Sequence, residues 1–277
     1  MSALGRVDSD TLARFAGEHA LAGFGIALLA LVLAVPLAWR LVLRYGVPRD
    51  DSRIPPKTLL VIQLAVSFAV IAGGAALFAA IADELGAEEE LGRLDQTFAD
   101  AIAESVAPGV IRAFAWITHL GDPWVLTVWC VGGAAALFVA RRRLLALGVV
   151  LAIAGNGLLN QTLKHIFERV RPVHDQSIAT AAGWSFPSGH TSGSLVTYGI
   201  IAYVLVRTTP ARWHVPIAMA ATVVAFSTAC SRVFLRVHFA SDVLAGFASG
   251  TTWLVACILS IEVSRMVWRR RRRPSAA

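Results

Sequence analysis

Seven stretches of this 277-residue chain are apolar and close to the length of a bilayer crossing, and that constrains the fold before any motif is considered. A spanning helix takes about 20 mostly apolar residues. Such runs fall at about 20–43, 58–82, 122–140, 144–163, 190–206, 214–231 and 240–263. The fifth and sixth are short or interrupted, so the count is six or seven. Composition agrees: 56% of the residues are hydrophobic, 16% are charged and the mean hydropathy is +0.64. A soluble domain is nearer 45–50% apolar and carries about 25% charge. The expected class is an all-α, polytopic transmembrane bundle. Residues 20–43 have the look of a signal sequence, but Asp8, Asp10 and Glu18 precede them and no A-x-A site follows. A retained anchor is therefore expected.

Loop charges give the orientation, because cytoplasmic loops are enriched in Lys and Arg. With the C-terminus inside and seven alternating spans, 16 of the 25 Lys and Arg fall inside, whereas 15 of the 18 Asp and Glu fall outside. The expectation is N-out and C-in. Five of the outer basic residues run against this trend: Lys164, Arg169, Arg171, Arg232 and Arg236. Cations gathered on that side suggest an anionic ligand, beyond what pairing with Glu168, Asp175 and Asp242 explains. The pI of about 10.1 is no sign of nucleic-acid binding. Its main source is the inner loops and the Arg269–Arg273 run, which anionic membrane lipids attract.

Residues 83–121 form the one sizeable insertion outside the spans. It opens with Asp83, Glu84, Glu88, Glu89 and Glu90, and then Leu91, Leu94, Phe98 and Ile102 recur at helical spacing. Pro108 starts a second helical pattern through Val110, Ile111, Phe114 and Ile117. Amphipathic helices at the outer interface are expected, capping the bundle or covering a lateral entrance. His119, near Gly121 and Asp122, reads as structural. Cys130, Cys230 and Cys257 are isolated in apolar runs, so no metal or redox role is expected. The chain divides into a tail, first span and basic loop (1–57), a core (58–263) and a basic tail (264–277).

Three segments carry the chemistry: Lys164-x6-Arg171-Pro172, Pro187-Ser188-Gly189-His190 and Ser231-Arg232-x5-His238-x3-Asp242. Charge beside or within a span is costly and marks function by default. Lys164 and Arg171 are seven residues apart, so two helical turns would put them on one face, with Pro172 ending the helix. A guanidinium fork and an ammonium point charge together suit a phosphate. Gly189 permits close backbone approach, and the helix that begins there offers unpaired N–H groups to an anion. Ser188 adds a hydroxyl donor, and His190 stands where a general acid or base is needed. His238 and Asp242 share a helix face at i and i+4. A carboxylate on Nδ1 fixes the tautomer and frees Nε2 to attack, with the histidine as nucleophile. Arg232 supplies a third cation.

In order and spacing, the three segments resemble the signature of the type 2 phosphatidic acid phosphatase family. The resemblance covers about 120–262 and more loosely 58–82, with the first span as an addition to a six-helix core. It implies that His238 forms a phosphohistidine, that Asp242 orients it, and that His190 protonates the leaving oxygen and then activates water. Lys164, Arg171, Ser188, Gly189 and Arg232 would hold the phosphate oxygens, with no metal and no cofactor. The implied activity is hydrolysis of a lipid phosphomonoester or pyrophosphate at the outer leaflet. Undecaprenyl pyrophosphate, phosphatidic acid and phosphatidylglycerol phosphate are substrate types of the family. Ala- and Arg-rich composition suggests a bacterial inner membrane with the site facing the periplasm. A lipid phosphotransferase would use the same intermediate. A flippase is disfavoured, because its charged groups should lie at mid-membrane between repeats.

Overall fold

The structure is a computed structural model, describing residues 8–41, 56–85, 90–172 and 182–271. The basic stretch 42–55, Glu88, Glu89, His174, Asp175 and the tail from 272 lie outside the described residues. Among the described residues there is no strand. The described residues form ten helices: α1 (Ser9–Glu18), α2 (Ala20–Leu41), α3 (Pro56–Asp83), α4 (Glu90–Ser105), α5 (Pro108–Ile117), α6 (Pro123–Val139), α7 (Arg143–Phe167), α8 (Gly189–Thr208), α9 (His214–Phe234) and α10 (Ala240–Arg271). Short 3₁₀ turns cover Thr118–Gly121 and Ala211–Trp213.

Each expected span has its helix. Six segments are long and apolar enough to cross a membrane on their own composition: Ala20–Leu41, Leu60–Asp83, Pro108–Val139, Arg143–Phe167, Ala211–Phe234 and Ala240–Val267. The seventh, α8, is an unbroken 20-residue helix. Its sequence looks interrupted because its first half is polar, yet Thr191, Ser192, Ser194 and Thr197 are buried against neighbouring helices. A helix sheltered by protein on its polar side needs no uniformly apolar surface.

Helix α8 occupies the centre, with α7, α9 and α10 packed around it, α6 against α7, and α3 against α10. Small residues set the closeness of the α8–α10 contact. A Cβ on Gly246 would fall 2.9 Å from the Ser188 carbonyl oxygen and 2.9 Å from Thr191 Cβ. Close helix approach through small residues is how packing is gained where lipid removes the hydrophobic drive. The first turns of the two helices are also tied by Ser188 N–H donating to the Asp242 carbonyl at 3.0 Å. One apolar cluster, with Leu137, Val149, Ala152, Val196, Ile200 and Ile261, joins α6, α7, α8 and α10.

The amphipathic segment forms α4 and α5, as its spacing predicts. It is a packed part of the bundle: α4 buries Asp95, Ala99, Ala101 and Ile102 against α1 and α10. Phe114 of α5 stacks on Phe234 of α9 at 4.2 Å between centroids, and Phe24 of α2 meets Phe114 edge-on at 5.3 Å. These rings dock helix α2 onto α9.

Replacing Gly246 with Ala forces a shift at the Ser188 backbone, and overpacking of this kind costs about 1–3 kcal/mol. The expected result is a lower thermal midpoint in detergent together with reduced activity; an unchanged midpoint would contradict this account of the α8–α10 contact.

Candidate active site

The ends of α7 and α9 and the beginnings of α6, α8 and α10 meet at one end of the bundle, and the three sequence segments meet with them. A cavity of about 970 Å³ opens there, lined by Lys164, Arg171, Gly189, His190, Arg232 and His238 among others. Its volume is at the upper end for small-molecule sites.

His238 lies in the short connection between α9 and α10 and is 2% exposed. Its Nδ1 is 3.2 Å from Asp242 Oδ2. Nε2 receives an N–H from Arg171 Nη1 at 3.1 Å, so the lone pair on that nitrogen faces a cation. Burial pushes the imidazole down to about 3, against the pull of Asp242 and reinforced by Arg171 and Arg232. At neutral pH the ring is therefore uncharged, with the proton on Nδ1 and the electron pair on Nε2. That is the form a nucleophile requires.

Asp242 is fully buried, and both of its carboxylate oxygens have partners. Oδ2 accepts from the Phe239 N–H at 3.0 Å and from the Ser185 hydroxyl; Oδ1 accepts from Arg169 Nη1 at 2.6 Å. Arg169 also donates to Ser241 Oγ at 2.7 Å, and through Nη2 to Asp95 Oδ2 at 2.9 Å. Asp95, from α4, accepts in turn from the Ser241 N–H at 3.1 Å and from its hydroxyl. The amphipathic segment thus reaches the carboxylate behind His238 through one guanidinium. Neither Asp95 nor Ser185 carries a motif in the sequence, and Arg169 was marked only by lying on the side where cations are unexpected.

Two sequence expectations need correction. Lys164 and Arg171 do not share a helix face: α7 ends at Phe167, and Glu168 takes a left-handed conformation at φ 42°. The chain leaves the helix four residues before Arg171, and backbone strain at Glu168 is accepted where Arg169 turns inward to its two carboxylates. The two cations still meet, because both reach the 182–185 loop. Lys164 Nζ donates to the Trp184 carbonyl and to the Ser185 carbonyl at 3.3 Å. Arg171 donates to the carbonyls of Gly183 at 2.9 Å and Val237 at 2.6 Å. Ser188 is the second correction. Its hydroxyl oxygen accepts from Thr191 Oγ1 at 3.0 Å and caps α8, so it is turned into the helix. The cavity wall at this point is Gly189 and His190, in the first turn of α8, where N–H groups lack helical partners.

Arg232 is 5% exposed and donates from Nη1 to Thr118 Oγ1 at 2.8 Å. Among the described residues its buried Nε has no partner. A guanidinium lining a cavity suits an anion. Away from this cationic end the cavity changes character. Asn160, Gln161 and Asn156 follow Lys164 down one side of α7, and then Ile153, Ala154, Leu126 and Val131 line it between α6 and α7. From Lys164 to Ile153 the lining runs about 16 Å along the helix. The space is polar and cationic at one end and apolar at the other, as an amphiphile with a phosphate head requires. Among the described residues no three His, Cys, Asp or Glu gather as metal ligands.

A bundle with this site has the makings of an integral membrane phosphatase, and the comparisons agree. The model of the PAP2 superfamily matches residues 144–266. Phosphatidylglycerophosphatase B of Bacillus subtilis (strain 168) is 35% identical over 163 residues, spanning 56% of this chain and 77% of that protein. The crystal structure of the first transmembrane PAP2 type phosphatidylglycerolphosphate phosphatase from Bacillus subtilis superposes with a TM-score of 0.66 at 29% identity. It covers 70% of this chain and 97% of that one. Aquifex aeolicus LpxE aligns with a TM-score of 0.45 at 26% identity, over 59% of this chain and 92% of that chain. The chain belongs to the PAP2 superfamily and is a membrane lipid phosphatase.

Removing Arg169 leaves the buried Asp242 and Asp95 carboxylates short of their shared cation, and breaking a buried pair of this kind costs about 3–5 kcal/mol. Arg169→Ala should therefore lower the thermal midpoint in detergent by several degrees and reduce activity with it. A variant as stable and active as the wild type would show that the guanidinium is dispensable.

Proposed function

We propose that the protein hydrolyses the terminal phosphate of a glycerophospholipid phosphate of the phosphatidylglycerol phosphate type, through a phosphohistidine on His238. The observation that carries this reading is the buried His238, backed on Nδ1 by Asp242, whose Nε2 faces Arg171 at a cavity also walled by Lys164 and Arg232. Positioning and charge neutralisation supply most of the catalysis in phosphoryl transfer. Both can be drawn here from side chains and the N–H groups at the start of α8.

The phosphate enters among Arg171, Arg232 and Lys164, with the N–H groups of Gly189 and His190 on its oxygens. Arg171 releases Nε2 to the phosphorus and takes up an oxygen instead. Nε2 bonds to phosphorus as the ester bond breaks, and the leaving oxygen takes a proton from His190. Asp242 stabilises the charge that develops on the His238 ring. Water, deprotonated by His190, then attacks phosphorus and frees Nε2. The acyl chains lie along the apolar stretch between α6 and α7. Loop charges support a position for this end of the bundle at the outer leaflet, facing the periplasm of a bacterial inner membrane. The B. subtilis relatives named for phosphatidylglycerophosphate support the choice of substrate over undecaprenyl pyrophosphate and phosphatidic acid. Helices α1 and α2 are additions to a core spanning 58–263.

The test is phosphate release by purified protein in EDTA, measured on phosphatidylglycerol phosphate, phosphatidic acid and undecaprenyl pyrophosphate. The expected ranking puts phosphatidylglycerol phosphate first by kcat/KM, with His238→Ala slower by at least about 10³-fold, the scale of losing a nucleophile. Near-wild-type rates in that variant would overturn the mechanism, and preference for undecaprenyl pyrophosphate would overturn the substrate.

A further inference from the structure

Asp122 holds the N-cap position of α6, directly before Pro123. An aspartate there ordinarily turns its carboxylate onto the N–H groups of the first turn, which stabilises a helix. Asp122 makes no such bond. Its Oδ1 lies 3.1 Å from His190 Nε2, and its Oδ2 lies 2.8 Å from His119 Nδ1. One carboxylate is thus shared between two imidazoles, and the cap is forgone.

The turn that carries it is built against His190. A Cβ on Gly121 would fall 2.9 Å from His190 Cδ2, so only glycine lets the backbone approach this closely. Tyr198 OH donates to the Leu120 carbonyl at 2.7 Å, fastening the same turn to α8 two helical turns beyond His190. His119, 59% exposed at the side chain, holds the second carboxylate oxygen and keeps Asp122 from rotating back onto its own helix.

We propose that Asp122 is the positioning residue of His190, a counterpart to what Asp242 does for His238. The proposal rests on the acid–base reading of His190 and deepens it. With Nε2–H donated to Asp122, Nδ1 is the nitrogen left to serve the substrate. In the first step the P–O bond breaks, its electron pair passes to the leaving oxygen, and that oxygen takes the Nδ1 proton of the imidazolium. In the second, Nδ1 takes a proton from water as the water oxygen bonds to phosphorus. The P–N electron pair then returns to His238. The same nitrogen must hold its place through both steps, and the carboxylate also offsets the repulsion of Lys164, Arg171 and Arg232 on the imidazolium.

The experiment compares a lipid phosphate, whose alkoxide leaving group needs a proton, with an aryl phosphate whose acidic phenol does not. Asp122→Asn in the full-length protein should lower kcat on the lipid about 10²-fold, the lower end of what general acid–base catalysis contributes, with KM within about twofold. On the aryl ester the first turnover of phenol should survive as a burst, followed by slow steady-state release. Asp122→Ser, which restores an N-cap but is too short to hold His190, should give the same kinetics with an undiminished thermal midpoint. Loss of the phenol burst on the aryl ester, or no loss on either substrate, would overturn the proposal. His190→Ala, run in parallel, separates the two layers. If it lacks the leaving-group contrast, the acid–base reading of His190 fails. If it shows the contrast and the Asp122 variants do not, only the role of Asp122 fails.

Discussion

The carboxylate of Asp242 is wholly removed from water, and an ionised group in that position is tolerated only when it is paired and hydrogen-bonded. The neighbouring structure supplies both. Arg169 neutralises it, Ser185 and the Phe239 N–H complete its acceptor sites, and Asp95 holds the far side of the guanidinium. The end of α7, the start of α10, the 182–185 loop and α4 are drawn together around this one charge. His238 gains from it a fixed ring and a defined tautomer. The energetic demand of a buried anion and the geometric demand of the nucleophile proposed for His238 are met by the same contacts.

The cavity in front of His238 has the opposite sign. Lys164, Arg171 and Arg232 converge there, and the first two donate to backbone carbonyls of the 182–185 and 237 segments. These bonds hold the cations close to where a phosphate would sit, at little cost in reorganisation. Arg232 lines the same wall, and its buried Nε has no partner among the described residues. Two histidines then face the space from α8 and from the α9–α10 connection, each backed by a carboxylate from another direction. A lipid phosphatase of the PAP2 superfamily needs this asymmetry: charge compensation behind the reacting side chains and excess positive charge in front of them.

Much of this was legible in the chain. Apolar run lengths place seven helices, and three short segments bring Lys164, Arg171, Gly189, His190, Arg232, His238 and Asp242 to one end. Periodicity could not show where α7 stops. Its end is decided by Arg169 reaching Asp95 and Asp242, about 70 residues away on either side, and Glu168 bends to permit it. The spacing of Lys164 and Arg171 suggested a shared helix face for the same reason: it carries no information about a tertiary pull. Ser188 looked like a phosphate donor because a hydroxyl at a helix start serves a ligand or a cap equally well. The unbroken course of α8 was hidden by serines and threonines that only burial explains. Asp122 and His119 sat in a Gly-Asp-Pro turn with no sign that their partner lay on α8.

The central claim is that Nε2 of His238 forms the bond to phosphorus. Rapid quenching of the reaction with a labelled substrate, followed by peptide mapping under conditions that preserve phosphohistidine, tests it most directly. The account predicts a transient phosphoryl group on the peptide containing His238, absent in His238→Ala and longer-lived in His190→Ala with an aryl phosphate. Label on His190, or turnover without any phosphoenzyme, would contradict it.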